Sequence, residues 1–245
     1  MRTGFSIGPF PDRVSDVPDE FDFVELSLGE HEIPPDEIDA DEFRGELEKA
    51  GKDLVVHLPF RQPAATSVPA FNEAELEYME ELLEFSAELG ASKAVLHGNV
   101  RDAASEDELE KFREQVDRLE EISEDHGIEI CYENVGQVKG GVELFTLGEI
   151  LEEKNASMTF DVGHAYMEVG QDRMEDFLDE YSHLVSHLHV HDCRDRGDSH
   201  ISVGEGEIEF GPVADMLESP SICIEVFTDD VEYGVVSLRK FLEKF

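Results

Sequence analysis

Eight short apolar runs, separated over most of the chain by stretches of helical periodicity, constrain the fold more tightly than anything else in this sequence. The runs are 3–7 (TGFSI), 22–27 (DFVELS), 53–57 (DLVVH), 93–97 (KAVLH), 128–133 (IEICYE), 157–161 (SMTFD), 185–191 (VSHLHVH) and 221–226 (SICIEV). Most are near-continuously apolar and rich in Val, Ile and Leu, the mark of parallel strands covered on their outer face by helices. Between them, 105–126 places Leu109, Phe112, Val116, Leu119 and Ile122 at steps of three or four. The stretch 71–89 does the same with Leu76, Met79, Leu82, Leu83 and Leu89. Such spacing turns one stripe of a helix toward a core. Shorter helical patterns fall at 40–50, 144–154, 172–182 and 232–244, whereas 12–20 is too short and Pro-rich for a full helix. The connection between the last two runs reads as mostly loop, with at most a short helix near 211–217. Alternating strand and helix implies a parallel sheet. Eight repeats favour closure into a (β/α)8 TIM barrel over an open doubly wound sheet, and no G-x-G-x-x-G follows the first run to suggest a dinucleotide fold. The 245 residues suit one such barrel, so a single TIM-barrel domain over 1–245 is expected.

The ends of the runs carry the chemistry. The third ends in His57, the fourth in His97, the fifth in Glu133, and the sixth in Asp161 with His164 three residues on. The seventh carries His189, His191 and Asp192 and is followed by Asp198 and His200; the eighth contains Glu225. In a parallel barrel these C-terminal ends meet at one mouth. Imidazole and carboxylate are the ligands that hold Zn²⁺ and Mn²⁺. Taken singly, a strand-end His is more often a hydrogen-bonded structural residue and a strand-end carboxylate a cap for the next helix. Taken together they resist that explanation, because so many buried imidazoles and acids without cations would repel or stay unsatisfied. A divalent-metal centre of one to three ions is therefore expected. His31, His126, His183 and His187 fall off the pattern and receive no function.

Composition enters through the charge. Sixty Asp and Glu against 19 Lys and Arg give a net charge of −41, spread along the helical patterns rather than gathered in a tail. Such a surface repels itself in dilute buffer, and in molar salt a Debye length of ~3 Å screens that repulsion. Adaptation to a salt-rich cytoplasm is the expectation, against the plainer reading of an ordinary acidic protein. The acidity argues weakly against a nucleic-acid partner, without excluding one. No apolar run approaches the ~20 residues that cross a bilayer, and the first residues lack a signal-peptide pattern, so a cytoplasmic protein with no membrane partner is expected. Cys131, Cys193 and Cys223 have neither zinc-finger spacing nor the even count of a disulfide framework. Nothing in the pattern sets an oligomeric state.

The pieces VVHLPF, AVLHGN, CYENVGQ, TFDVGHAY, HLHVHD, DSHISVGEGEIEF and CIEVF, above all D-x-G-H-A followed by D-x-H-x-x-x-G-E-G, resemble the xylose isomerase-like barrel superfamily. That superfamily includes sugar isomerases and epimerases and also endonuclease IV. In the epimerase branch the resemblance implies one metal held by Glu133, Asp161, His189 and Glu225. In the endonuclease IV branch it implies three zinc ions held by His57, His97, Glu133, Asp161, His164, His189, Asp198, His200 and Glu225. Sugar epimerases often have an Arg near His200, so the His pulls toward a multinuclear site. The nuclease branch usually shows Pro-Gly where Gly98-Asn99 follows His97, and it needs basic and aromatic loops that bend DNA, which are thin here.

The resulting expectation is a metal-dependent isomerase or epimerase acting on a small-molecule sugar or sugar phosphate. Glu133 and Glu225 would exchange a proton with the substrate carbon, and His164 and His57 would orient hydroxyls or complete a second metal site. The alternative is an endonuclease IV-type phosphodiester hydrolase; a metal-binding but inactive barrel is the third class. Arg194 and Arg196 would clamp a substrate phosphate or merely pair with neighbouring acids, and Phe60 would act as a wedge or cover the barrel mouth. The Gly204-Glu205-Gly206 turn would shape backbone beside the site.

Overall fold

A computed structural model describes residues 1–216, 220–228 and 230–244. Among the described residues, ten strands and eight α-helices follow in chain order. They begin β1 (Arg2–Gly8), β2 (Phe23–Ser27), α1 (Ala40–Ala50), β3 (Asp53–His57), α2 (Pro69–Leu89), β4 (Lys93–His97), α3 (Glu106–His126) and β5 (Glu129–Glu133). Then come α4 (Leu144–Lys154), β6 (Ser157–Asp161), α5 (Val162–Val169), α6 (Gln171–Tyr181), β7 (Val185–Val190), β8 (Asp192–Arg194), β9 (Gly197–Ile201), α7 (Phe210–Met216), β10 (Ser221–Ile224) and α8 (Val231–Leu242). Eight strands close in the order β1-β10-β7-β6-β5-β4-β3-β2 with every pairing parallel, the (β/α)8 TIM barrel expected from the alternation.

Local chemistry sets the helix ends. The Asp39 and Ser105 side chains accept the Glu42 and Glu108 N–H groups and start α1 and α3. Gly127, at φ 69, ends α3 in the left-handed conformation that an L side chain resists. The Pro-rich segment after β1 forms only a 3₁₀ turn, Pro11–Asp16. Two elements are absent from the sequence expectations. One is α5, which starts directly on the end of β6. The other is the antiparallel hairpin β8–β9, lying where mostly loop was expected. Its strands are short and polar, so no apolar alternation marks them. Its two-residue turn, Asp195-Arg196, takes φ values of 54 and 53, the positive pair that lets two strands reverse tightly. The expected short helix near 211–217 is α7; residue 217 lies outside the described residues.

The side-chain period of two decides what faces the barrel axis. On β7, Leu188 and Val190 join the outer core, while His187 and His189 are buried on the inner side and His191 follows just past the strand end. Outside, Phe160 stacks on Phe177 with ring centroids 5.6 Å apart, tying β6 to α6. Inside, Phe23, Val55, Val95 and Cys223 form an apolar floor. Two residues further along the strands the interior turns polar, so the ionisable groups sit over a closed base and open only toward the mouth.

Candidate metal and active site at the barrel mouth

Glu133, at the end of β5 and 1% exposed, is the hub. His57 and His97, ending β3 and β4, bring Nε2 to 3.2 and 3.3 Å from its Oε2. His164 brings Nδ1 to 3.1 Å from its Oε1. Two residues of D-x-G-H-A explain how His164 arrives there. Asp161 caps α5 by accepting the His164 N–H at 2.6 Å, which places that imidazole in the first helical turn over the mouth. Gly163 leaves room for His191, since a Cβ there would lie 2.1 Å from His191 Cε1. Asp161 is thus a helix cap and more: its Oδ1 also faces His191 Nε2 at 3.2 Å, and its Oδ2 has no hydrogen-bond partner.

His189 Nδ1 and Glu225 Oε2 are equally unpartnered. His189 Nδ1 lies 3.9 Å from Asp161 Oδ2, 3.5 Å from Glu225 Oε2 and 3.6 Å from Glu133 Oε2. Each buried polar atom left unsatisfied costs about 1–3 kcal/mol, and a divalent cation among the three satisfies all of them. One imidazole nitrogen with carboxylate oxygens is a donor set suited to Zn²⁺ or Mn²⁺. The residues therefore fit a metal ion. Further donor groups among the described residues adjoin this one: His57 with His97 and Glu133, Glu133 with Asp161 and His164, and His164 with His191, Asp198 and His200.

The electrostatics agree. Burial would push the Glu133 carboxyl up, but His97, His189 and His164 hold it well below the usual carboxylate range. Burial pulls imidazoles down, yet the carboxylates around His189 and His164 raise both well above their ordinary value, and Glu133 raises His57 to about 9. At His97 burial wins and the shift is downward. Imidazolium protons and a bound cation thus fill the same electrostatic need, so an entering metal ion would displace protons.

A cavity of about 760 Å³ opens over this cluster. His57, His97, Glu133, His164, Asp198, His200 and Glu225 line it, and Phe60 stands beside His97 and His57 at centroid distances of 5.3 and 5.9 Å. Arg194 and Arg196 are not among its lining residues. Arg194 Nε donates to the Glu205 carbonyl at 2.7 Å, and the Arg196 guanidinium donates to the Tyr166 carbonyl, so neither is placed as the phosphate clamp considered above. The lining cations are Arg13 and Lys139. Lys139 pairs with Asp198 and lies 3.0 Å from His164 Nε2. Nothing in the sequence singled out Lys139, a lone Lys in a turn.

Asp192 and the G-E-G turn form one unit. Asp192 Oδ2 accepts the Gly204 and Gly206 N–H groups, both at 2.9 Å, and Oδ1 accepts those of Cys193 and Ile208 at 2.9 and 3.2 Å. A Cβ on Gly206 would lie 2.2 Å from Asp192 Oδ1, so only glycine fits there. The carboxylate fastens the loop that follows the hairpin carrying Asp198 and His200.

A closed parallel barrel with a ring of His, Asp and Glu side chains that could hold a metal at its C-terminal mouth defines the class. The chain belongs to the xylose isomerase-like TIM barrel family, whose sequence pattern matches residues 17–245. Among curated proteins it is 29% identical over 177 residues to an uncharacterized protein of Methanocaldococcus jannaschii, covering 68% of this chain and 60% of that one. It is 29% identical over 189 residues to a probable endonuclease 4 of Bacillus licheniformis, covering 68% and 62%. The chain thus spans about three-fifths of the length of these relatives. A solved D-tagatose 3-epimerase-like protein superposes with a TM-score of 0.78 at 24% identity, covering 99% of this chain and 97% of the other. An AP endonuclease, family 2, from Brucella melitensis superposes at 0.74 with 16% identity, covering 98% of each. At these identities the structural likeness carries the fold alone. Among the described residues no helix is long and apolar enough to cross a membrane.

Proposed function

We propose that this protein is a divalent-metal-dependent isomerase or epimerase acting on a sugar or sugar phosphate. The observation that carries the reading is the convergence of three buried, unpartnered atoms, Asp161 Oδ2, His189 Nδ1 and Glu225 Oε2, the last of which belongs to a residue lining a cavity sized for a small molecule. Asp161, His189, Glu225 and Glu133 would hold the ion, which when bound polarises substrate oxygens and acidifies the adjacent C–H. Glu133 and Glu225 flank His189 Nδ1 at 3.6 and 3.5 Å and both line the cavity. One would take the proton from the substrate carbon and the other return it. His57 and His164 would orient hydroxyls, and the Phe60 ring would offer an apolar wall. The likeness to epimerase structures supports this reading through the fold.

A second reading, an endonuclease IV-type phosphodiester hydrolase, is favoured by one observation: the further donor groups beside this one, which would make room for a multinuclear zinc cluster. Metal analysis of protein purified without added chelator tests the choice. One Mn²⁺ or Mg²⁺ per chain is the expected result; three zinc ions per chain would replace the isomerase reading with the hydrolase.

A further inference from the structure

One enclosed carboxylate takes no part in the chemistry above. Glu25 interrupts the apolar run of β2 and is 1% exposed. A buried carboxylate is costly unless its surroundings compensate it. Its Oε2 lies 3.1 Å from Nε2 of His187 and 3.1 Å from Nε2 of His189. Both histidines are fully buried. His187 is fixed from its other side by Ser221 Oγ, 2.6 Å from Nδ1. A neutral imidazole has one N–H and one lone pair, and an ionised carboxylate only accepts. The proton shared with Glu25 is therefore on Nε2 of each ring. The Ser221 hydroxyl donates to Nδ1 of His187. On His189 the same bond to Glu25 marks Nε2 as the nitrogen that keeps its proton, so Nδ1, the atom that faces Asp161 and Glu225 without a partner, is the one a metal ion would strip of its proton and bind.

We propose that Glu25 is a positioning residue: it holds His189 in the tautomer and orientation that present Nδ1 to the metal position, with His187 and Ser221 bracing Glu25 from below. The inference rests on His189 being a ligand, as the proposed function has it. A carboxylate behind a metal-bound imidazole fixes its tautomer and raises its basicity, and losing such a partner costs about 10–100-fold in metal affinity. Glu25, His187, His189 and Cys223 also lie close enough to hold an ion themselves. The hydrogen bonds already joining Glu25 to both Nε2 atoms favour the positioning role.

Nitrogen-15 spectra of the histidine rings in the zinc-loaded protein, with zinc affinity measured by competition, test this. In the parent, His189 should coordinate through Nδ1 and carry on Nε2 a proton protected from solvent exchange. Glu25→Met should lose that protection and weaken zinc binding by about 10–100-fold, while Glu25→Gln, which keeps one carbonyl acceptor, should recover most of the affinity. An unprotonated Nε2 on His189 in the parent overturns the proposal. So does a folded Glu25→Met protein that binds zinc within about twofold of the parent. Loss of one whole ion from Glu25→Met with the others bound unchanged would make the four residues a metal site instead. If Glu25→Met does not fold, the parent's ring spectrum decides. If the parent takes up no metal, the functional reading fails separately, and the test becomes whether the His189 Nε2 proton of the metal-free protein is protected from exchange; an unprotected proton there overturns the proposal.

Discussion

Replacing Asp192 by Asn removes one charge and changes one atom, and the structure sets the size of the effect. Both carboxylate oxygens are fully buried, and each accepts two backbone N–H groups: Gly204 and Gly206 on Oδ2, Cys193 and Ile208 on Oδ1. Whichever way the amide is turned, its NH₂ faces two donors, so two of the four bonds are lost. Bonds to a charged acceptor contribute about 1.5–3 kcal/mol each, which makes the loss about 3–6 kcal/mol. That is a large share of the ~5–15 kcal/mol that holds a typical domain. We expect Asp192→Asn to lower the urea midpoint accordingly in high KCl and to make residues 195–208 the first protease target. The site should suffer as well, since the hairpin before this loop carries Asp198 and His200. Asp192→Asn protein whose unfolding free energy stays within about 1 kcal/mol of the parent, with the loop still protected, would refute the assignment of Asp192 as the loop's anchor.

The −41 charge predicts that the thermal midpoint rises between about 0.1 and about 3 M KCl; a midpoint flat in salt contradicts adaptation to a salt-rich medium. In high salt with EDTA, stability should fall as pH rises from about 5 to about 9. Burial raises Glu75 and Glu120 to about 7, and Glu133, against burial, raises His57 to about 9. Each group binds protons in the folded chain at pH values where the unfolded chain has released them, so the folded state gains from acid across that window. Urea titrations at each pH check this; stability that grows from pH 5 to 9 overturns it. Glu133→Gln and Glu225→Gln should each reduce proton exchange on a sugar substrate by about 10²–10⁴, with His57→Ala and His97→Ala losing less. Equal loss from all four in steady-state assays would point to a cluster acting as a unit, as the hydrolase reading requires.

The barrel was legible because its evidence is local: apolar runs and helical stripes follow directly from which face of each element is buried. The mouth was legible for a related reason. His57, His97, Glu133 and Asp161 stand at the ends of their strands, and in a parallel barrel a strand end is already an address. What lies deeper has no such address. Glu25 and His187 sit inside the barrel, where the informative signal is a charged or polar residue at alternate positions within a run, as in F-V-E and H-L-H. Glu25 carries no strand-end signal, and His187 falls off the strand-end pattern, so neither reads as a site residue from the sequence. The hairpin β8–β9 has no apolar pattern, so in the sequence Arg194 and Arg196 are marked by charge alone, while in the structure their guanidinium groups donate to backbone carbonyls. Lys139 reaches His164 from a turn 25 residues away in sequence, a contact no local pattern encodes.

The central claim, metal-dependent proton transfer at a sugar carbon, is tested most directly by incubating the metal-loaded protein with candidate ketoses, aldoses and their phosphates in D₂O at high KCl. Deuterium incorporation is followed by NMR, with an abasic-site oligonucleotide as a parallel substrate. The account predicts deuterium at the carbon beside the carbonyl of at least one sugar, abolished by EDTA, restored by Mn²⁺ or Zn²⁺ and lost in Glu225→Gln. Cleavage of the oligonucleotide with no deuterium entering any sugar would contradict it.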